Sequence, residues 1–181
     1  MNTRPHQTTS DMVNQFSQEP NYSDPGGDDY EALSRDRVMT RSLQASDIDA
    51  VLRIDRQVTG LDRRAYYERK FHEVLQRSGL RMSLVAEAEG RILGFVMARV
   101  DYGEFGRTEP AAVIDTIGVE PGARGQGVGK ALVSQLLGNL ASLRVESLRT
   151  EVPFDSYDLN RFLGALGFRP SQRLAFSLPV D

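Results

Sequence analysis

The chemically suggestive part of the chain is the run Asp115-Thr116-Ile117-Gly118-Val119-Glu120-Pro121-Gly122-Ala123-Arg124-Gly125-Gln126-Gly127-Val128-Gly129-Lys130, where glycines and two cations separate an apolar segment from one of helical periodicity. A helix N-terminus offers N–H groups without helical partners and a partial positive charge, and glycines let a bulky anion approach that backbone. The spacing therefore predicts an anion cradle over residues 124–130. Two familiar phosphate patterns fail on it. A Walker-type loop would need a glycine at Arg124 and a hydroxyl at Ala131, and a dinucleotide fingerprint begun at Gly125 finds Lys130 at its third glycine.

Such a cradle needs a strand to deliver the chain and a helix to receive it. The apolar run 111–119 reads as a central strand, and Val128, Leu132, Leu136 and Leu140 give a helix over 128–142. Upstream, 38–43 reads as a first strand, and Ser46-Asp47-Ile48-Asp49 as a capping box for a helix carrying Ile48, Val51 and Leu52. Tyr67, Phe71, Val74 and Leu75 lie at helical spacing over 61–78, with Gly79 as the stop. Residues 81–88 and 91–101 form a β-hairpin closed by Glu89-Gly90, and 101–110 is a loop. A strand over 147–152, a helix bearing Leu159, Phe162, Leu163 and Leu166 and ended by Gly167, and an alternating Leu174, Phe176, Leu178 strand complete the chain. The expected fold class is α/β with a mixed sheet, and no internal repeat is visible.

Composition narrows the partners. With 181 residues, 40% hydrophobic and 26% charged, the chain supports one domain with a real core, placed at 37–181 behind a polar, disordered tail at 1–36. A net charge of −3 argues against nucleic acid and anionic membrane as partners. No cysteine is present, and His6 and His72 have no matching partner, so neither thiol chemistry nor a metal site is expected. No apolar stretch approaches the ~20 residues that span a bilayer, and the N-terminus lacks a secretory pattern, so a cytoplasmic protein is expected.

The residues Arg124-x-x-Gly127-x-Gly129 resemble the acetyl-CoA motif of GCN5-related N-acetyltransferases, (Gln/Arg)-x-x-Gly-x-(Gly/Ala), and Leu166-Gly167-Phe168 resembles that family's closing Leu-Gly-Phe. The resemblance covers about residues 37–181. It implies a strongly bent mixed sheet flanked by helices, its fourth and fifth strands splayed around the pantetheine arm of acetyl-CoA, with no metal. The implied backbone partners of pantetheine are Ile117 and Val119. The implied diphosphate donors are the amides of Gly125, Gln126, Gly127, Val128, Gly129 and Lys130, with charge from Arg124 and Lys130, while Gly118 or Val119 would polarise the thioester carbonyl.

The same resemblance maps the proton-handling positions. A glutamate some relatives carry on the fourth strand falls on Val113; Asp115, two residues on and on the same strand face, is the substitute base, and Glu151 the second candidate. From the residues alone Asp115 reads equally as a carboxylate that satisfies backbone groups. The family's tyrosine acid falls on Leu163, leaving Tyr157 as candidate acid, and the pantetheine-contacting Asn falls near Ser156. Tyr66, Tyr67 and the loop bearing Tyr102, Glu104 and Glu109 would form an acceptor groove suited to a cationic amine. The implied activity is N-acetyl transfer to a small-molecule amine, a peptide N-terminus or a lysine. The alternative is a non-catalytic acetyl-CoA sensor of the same fold. The acceptor, the assembly (a homodimer being the candidate) and the role of the tail are left open.

Overall fold

A computed structural model of the chain describes residues 38–77, 82–101, 109–171 and 177–179. The expected tail, the Gly79 stop, Tyr102 and Glu104 of the loop, and the alternation at Leu174 and Phe176 lie outside the described residues. Within them the order is β1 (Met39–Ser42), a short 3-10 turn (Ala45–Asp47), α1 (Ile48–Thr59), α2 (Arg64–Arg77), β2 (Leu84–Ala88), β3 (Arg91–Asp101) and β4 (Ala111–Val119). A second 3-10 turn (Pro121–Ala123), α3 (Val128–Ser142), β5 (Leu148–Thr150) and α4 (Tyr157–Ala165) follow.

Local chemistry accounts for most boundaries. The capping box expected from Ser46 to Asp49 is displaced: Asp47 Oδ2 accepts the backbone N–H of Gln44 at 2.7 Å, so a 3-10 turn precedes α1. Arg41 makes this earlier start favourable, because its two terminal nitrogens meet the buried Asp47 carboxylate at 2.8 and 3.0 Å. Gly60, at φ 72°, closes α1 by donating its N–H to Arg56 O at 2.8 Å.

The strands form one mixed sheet in the order β1-β2-β3-β4-β5, antiparallel through β4, with β5 parallel to β4. Two clusters of buried side chains cover its faces. On one, Val128, Leu132, Leu136 and Leu140 of α3 pack against Leu84, Val96, Ala112 and Ile114. On the other, Val51 and Ile54 of α1 and Tyr67 and Phe71 of α2 pack against Val85, Phe95 and Met97. Burying each such side chain contributes about 1.5–3 kcal/mol before entropy is counted, so these two layers set how the helices seat on the sheet. Glycine admits the closest approach: a Cβ on Gly94 would stand 2.8 Å from Val128 Cγ1, so α3 lies directly against β3.

Candidate functional site

Between β4 and β5 the sheet opens. The two strands pair only at Ala112 with Leu148, Val113 with Arg149 and Ile114 with Thr150, whereas β4 continues to Val119. Thr150 Oγ1 closes the paired stretch by donating to Ile114 O at 3.1 Å. Beyond it β4 still pairs with β3, but β5 has ended, so on that side residues 115–119 have no strand partner among the described residues, a wedge in the ladder. Strand alternation decides which groups face it. Gly118 O lies against Gly94 on β3, and Glu120 donates its N–H to Leu93 O at 2.8 Å, so the intervening Val119, and Ile117 before it, turn their main-chain groups toward the open side. Gly118 is thereby corrected as a carbonyl-polarising donor, because its main chain faces β3. Its lack of a side chain serves packing: a Cβ there would stand 2.6 Å from Phe95 Cε1.

The turn after β4 has two glycine bends ahead of a helix N-terminus. After Pro121–Ala123 the backbone takes positive φ at Gly125 (76°) and Gly127 (80°), two bends favoured by glycine, and Gly127 is the N-cap of α3. The first helical bond runs from Ala131 N–H to Gly127 O at 2.8 Å, so the amides of Val128 and Gly129 precede any helical acceptor. No acidic side chain lies in the first turn, and Arg124, Gly125, Gln126 and Lys130 are exposed. Gln126 is partly engaged, donating Nε2–H to Gly122 O at 2.9 Å. Gly129 owes its size to packing, since a Cβ would meet the Phe162 ring of α4 at 2.9 Å.

On the face of β4 covered by α1 and α2 lies a set of polar groups that sequence alone does not assemble. The β3–β4 register shifts between Met97, opposite Thr116, and Ala98, opposite Ile114, which makes Asp115 the extra residue of a β-bulge. Asp115 Oδ2 meets Lys70 Nζ at 2.8 Å and Oδ1 pairs with Arg99, so both oxygens of the expected base are held by cations. Thr116 Oγ1 stands 3.4 Å from the hydroxyl of Tyr67. That hydroxyl donates to Asp55 Oδ1 at 2.9 Å, and Arg63 Nε donates to Asp55 Oδ2 at 2.9 Å, with a second contact from Arg63 Nη2. Burial, supported by the Asp55 carboxylate, pushes the Tyr67 hydroxyl well above its usual pKa, and the hydrogen bond to Asp55 raises that of Arg63.

Several expectations change here. Tyr67 is fully buried, packed edge-on against Phe95 with ring centroids 5.9 Å apart, so it belongs to the core and not to an acceptor groove. The signal is present in the sequence, because Tyr67 shares the helical spacing of Phe71 and Val74 that marks the apolar side of α2. Tyr66 is half-buried, and Glu109 is exposed. Glu151 lies just past the end of β5, at Thr150, and is exposed. Tyr157 begins α4 and is 73% exposed. Ser156 is the N-cap residue of α4, half-buried, and its carbonyl accepts Asn160 N–H at 2.9 Å. Leu163, where the family tyrosine would stand, is buried. Sequence reasoning also missed Glu120, a buried carboxylate between Arg53 (2.7 Å) and Arg91 that ties α1 and β3 to the end of β4. Beside it an open cavity of about 540 Å³, lined by Gln57, Arg91, Leu93 and Gln126 among others, borders the turn but does not include Asp115, Ile117 or Val119.

β4 outruns β5 and leads through a glycine turn into the N-terminus of α3, and comparison with known proteins gives this fold a family. The profile of the acetyltransferase (GNAT) family matches residues 48–168, and the chain belongs to that family. No curated protein sequence matches the chain. Among solved structures it is similar to the aminoglycoside acetyltransferase AAC(6')-Iy in complex with a bisubstrate analog, CoA-S-monomethyl-acetylneamine, at 19% identity and a TM-score of 0.69 over 80% of this chain and 99% of that one. It is also similar to the aminoglycoside 6'-N-acetyltransferase AAC(6')-Ih from Acinetobacter baumannii, at 18% identity and TM-score 0.68 over 80% and 99%. A transcriptional regulator from Bacillus halodurans C-125 gives 19% identity and TM-score 0.67 over 79% and 99%. These likenesses establish the fold, a mixed open sheet with helices on both faces. Among the described residues no helix is long and apolar enough to cross a membrane.

Proposed function

We propose that this protein moves the acetyl group of acetyl-CoA to an amine by direct attack on the thioester. The observation that carries the reading is the early end of β5. It leaves the main-chain groups of Ile117 and Val119 on the side where β5 has ended, on the strand that runs on into the turn presenting the amides of Val128 and Gly129. In this reading those amides, with Arg124 and Lys130, hold the diphosphate, and the β4 edge aligns the pantetheine arm as an extra strand would. The Val119 or Ile117 N–H polarises the carbonyl, and fixed alignment supplies much of the rate. Acetyl-CoA contributes the activated acyl group.

The amine must arrive or become neutral. Asp115 is the carboxylate on β4 beside the wedge, and with one cation on each oxygen, Lys70 and Arg99, it keeps further lone pairs for a water; Glu151 is exposed just past the end of β5. Proton removal through water to either carboxylate fits this geometry, with Tyr157 available from the first turn of α4 to protonate the departing thiolate. Loss of free thiolate, whose pKa is moderate, makes that acid dispensable. Thiol release from acetyl-CoA, measured across primary amines, peptide N-termini, lysine peptides and aminoglycosides, tests the proposal.

A second reading has its own support. Leu163 is buried at the position of the family acid, and both Asp115 oxygens are committed to cations, as suits a module that binds acetyl-CoA without turning it over. Stabilisation by CoA together with no thiol release on any acceptor would favour this sensor. Absence of CoA binding would remove both readings.

A further inference from the structure

The two residues that share the α2-facing side of the bulge are each gripped by α2. Regular strand alternation would send Asp115 and Thr116 to opposite faces, but the extra residue in β4 lets both point toward α2. Tyr67 and Lys70, three residues apart, present one side of α2, and that spacing matches the adjacent pair on the strand: Lys70 Nζ to Asp115 at 2.8 Å, Tyr67 hydroxyl to Thr116 Oγ1 at 3.4 Å. The Lys70 contact is short, and the longer Tyr67 contact comes from a side chain that is itself held firmly. Tyr67 is fully buried with its proton committed to Asp55, so Thr116 is left as the donor in the Tyr67–Thr116 contact. Asp55 is 4% exposed and held bidentately by Arg63 from the α1–α2 connection. This pair, with Asp55 buried and Arg63 half-exposed, is a weak source of stability, but its two-point contact defines where the Asp55 carboxylate sits. Ile117, whose main chain opens on the wedge, is the next residue along β4.

We infer that Tyr67 and Lys70, with Tyr67 oriented by Asp55 and Arg63, are positioning residues that clamp the β4 bulge and so aim the Ile117 and Val119 main chain at the acyl group. The inference rests on the acetyl-transfer reading and deepens it. The clamp lies on the α2 face while the diphosphate cradle lies at the N-terminus of α3, so clamp variants leave the diphosphate contacts in place and reach acetyl-CoA only through the Ile117 and Val119 edge. Tyr67→Phe keeps the ring in the core and removes only the hydroxyl; Lys70→Met keeps the stem and removes the charge. Neither touches the residues of the cradle.

The test measures kcat and KM for acetyl-CoA well below the unfolding temperature, together with the amide ¹⁵N–¹H signals of residues 116–119. Each variant is expected to lower kcat by about tenfold, the scale of a small misplacement of a catalytic group, with a clearly smaller rise in KM for acetyl-CoA because the diphosphate cradle is untouched. The Thr116 and Ile117 amide signals should shift and exchange faster, and Lys70→Arg should recover most of the loss. Unaltered kcat and amide signals in both variants would overturn the clamp, as would a kcat loss matched by an equal loss of CoA affinity, which marks general loosening. Failure of the wild-type protein to turn over any amine would count against the transfer reading alone, and the amide signals would still judge the clamp.

Discussion

Gly127 allows the cradle to be tested against a matched control. It stands at φ 80°, ψ −3° as the N-cap of α3, while Gly60 stands at φ 72°, ψ 2° after α1, where an added Cβ would meet nothing within 4 Å. An aspartate at either position is forced into the left-handed region, which costs about 1 kcal/mol, so both variants should lose about 3 °C in Tm in a domain of this size. They differ in what the carboxylate meets. At about 5 Å from one charge of a bound diphosphate, and at an effective dielectric near 20, the repulsion is about 3 kcal/mol, falling to about half with salt. CoA affinity, measured by isothermal titration, should therefore fall by at least about tenfold and toward a hundredfold in Gly127→Asp, and stay at the wild-type value in Gly60→Asp. Equal CoA affinity in the two variants would refute the placement of the diphosphate at this helix N-terminus.

Other perturbations probe the supports of the site. Gly129→Ala places a Cβ 2.9 Å from two atoms of the Phe162 ring, an overlap expected to cost about 1–2 kcal/mol in chemical denaturation; Gly129→Ala combined with Phe162→Leu should recover part of it. For Asp47, burial works against the charge but the Arg41 guanidinium and the Gln44 amide overcome it and hold the carboxyl below its ordinary value of 3.8. A depressed folded pKa means stability that is full above the unfolded value and is lost as pH falls through the folded one. The stability gap between wild type and Asp47→Asn, read from urea midpoints, should thus be constant from pH 7 to about 5 and shrink below about 4. In Gly118→Ala the new Cβ would meet Phe95 at 2.6 Å, and because Phe95 packs on Tyr67 a Tm loss of several degrees is expected, corresponding to about 1–3 kcal/mol of overpacking.

What the sequence determined by itself was whatever short-range physics controls. The limits of β3, β4 and α3 coincide with the hairpin signal at Glu89-Gly90, the apolar run 111–119 and the 3.6-residue period after Gly127. The bends at Gly125 and Gly127 and the helix start that leaves the amides of Val128 and Gly129 ahead of any helical acceptor follow from the same local pattern, which is why the proposed cradle can be argued from the residues alone. The bulge at Asp115 depends on how β4 aligns with β3, and no feature of either strand alone reveals it. Tertiary structure likewise decided that Gly118 faces β3, that Tyr67 enters the core, and that Asp115 meets Lys70 from a helix 45 residues earlier in the chain. Strand register and helix seating are chosen by burial summed over both faces of the sheet, so the polar partners of a site residue emerge only when all the layers are in place.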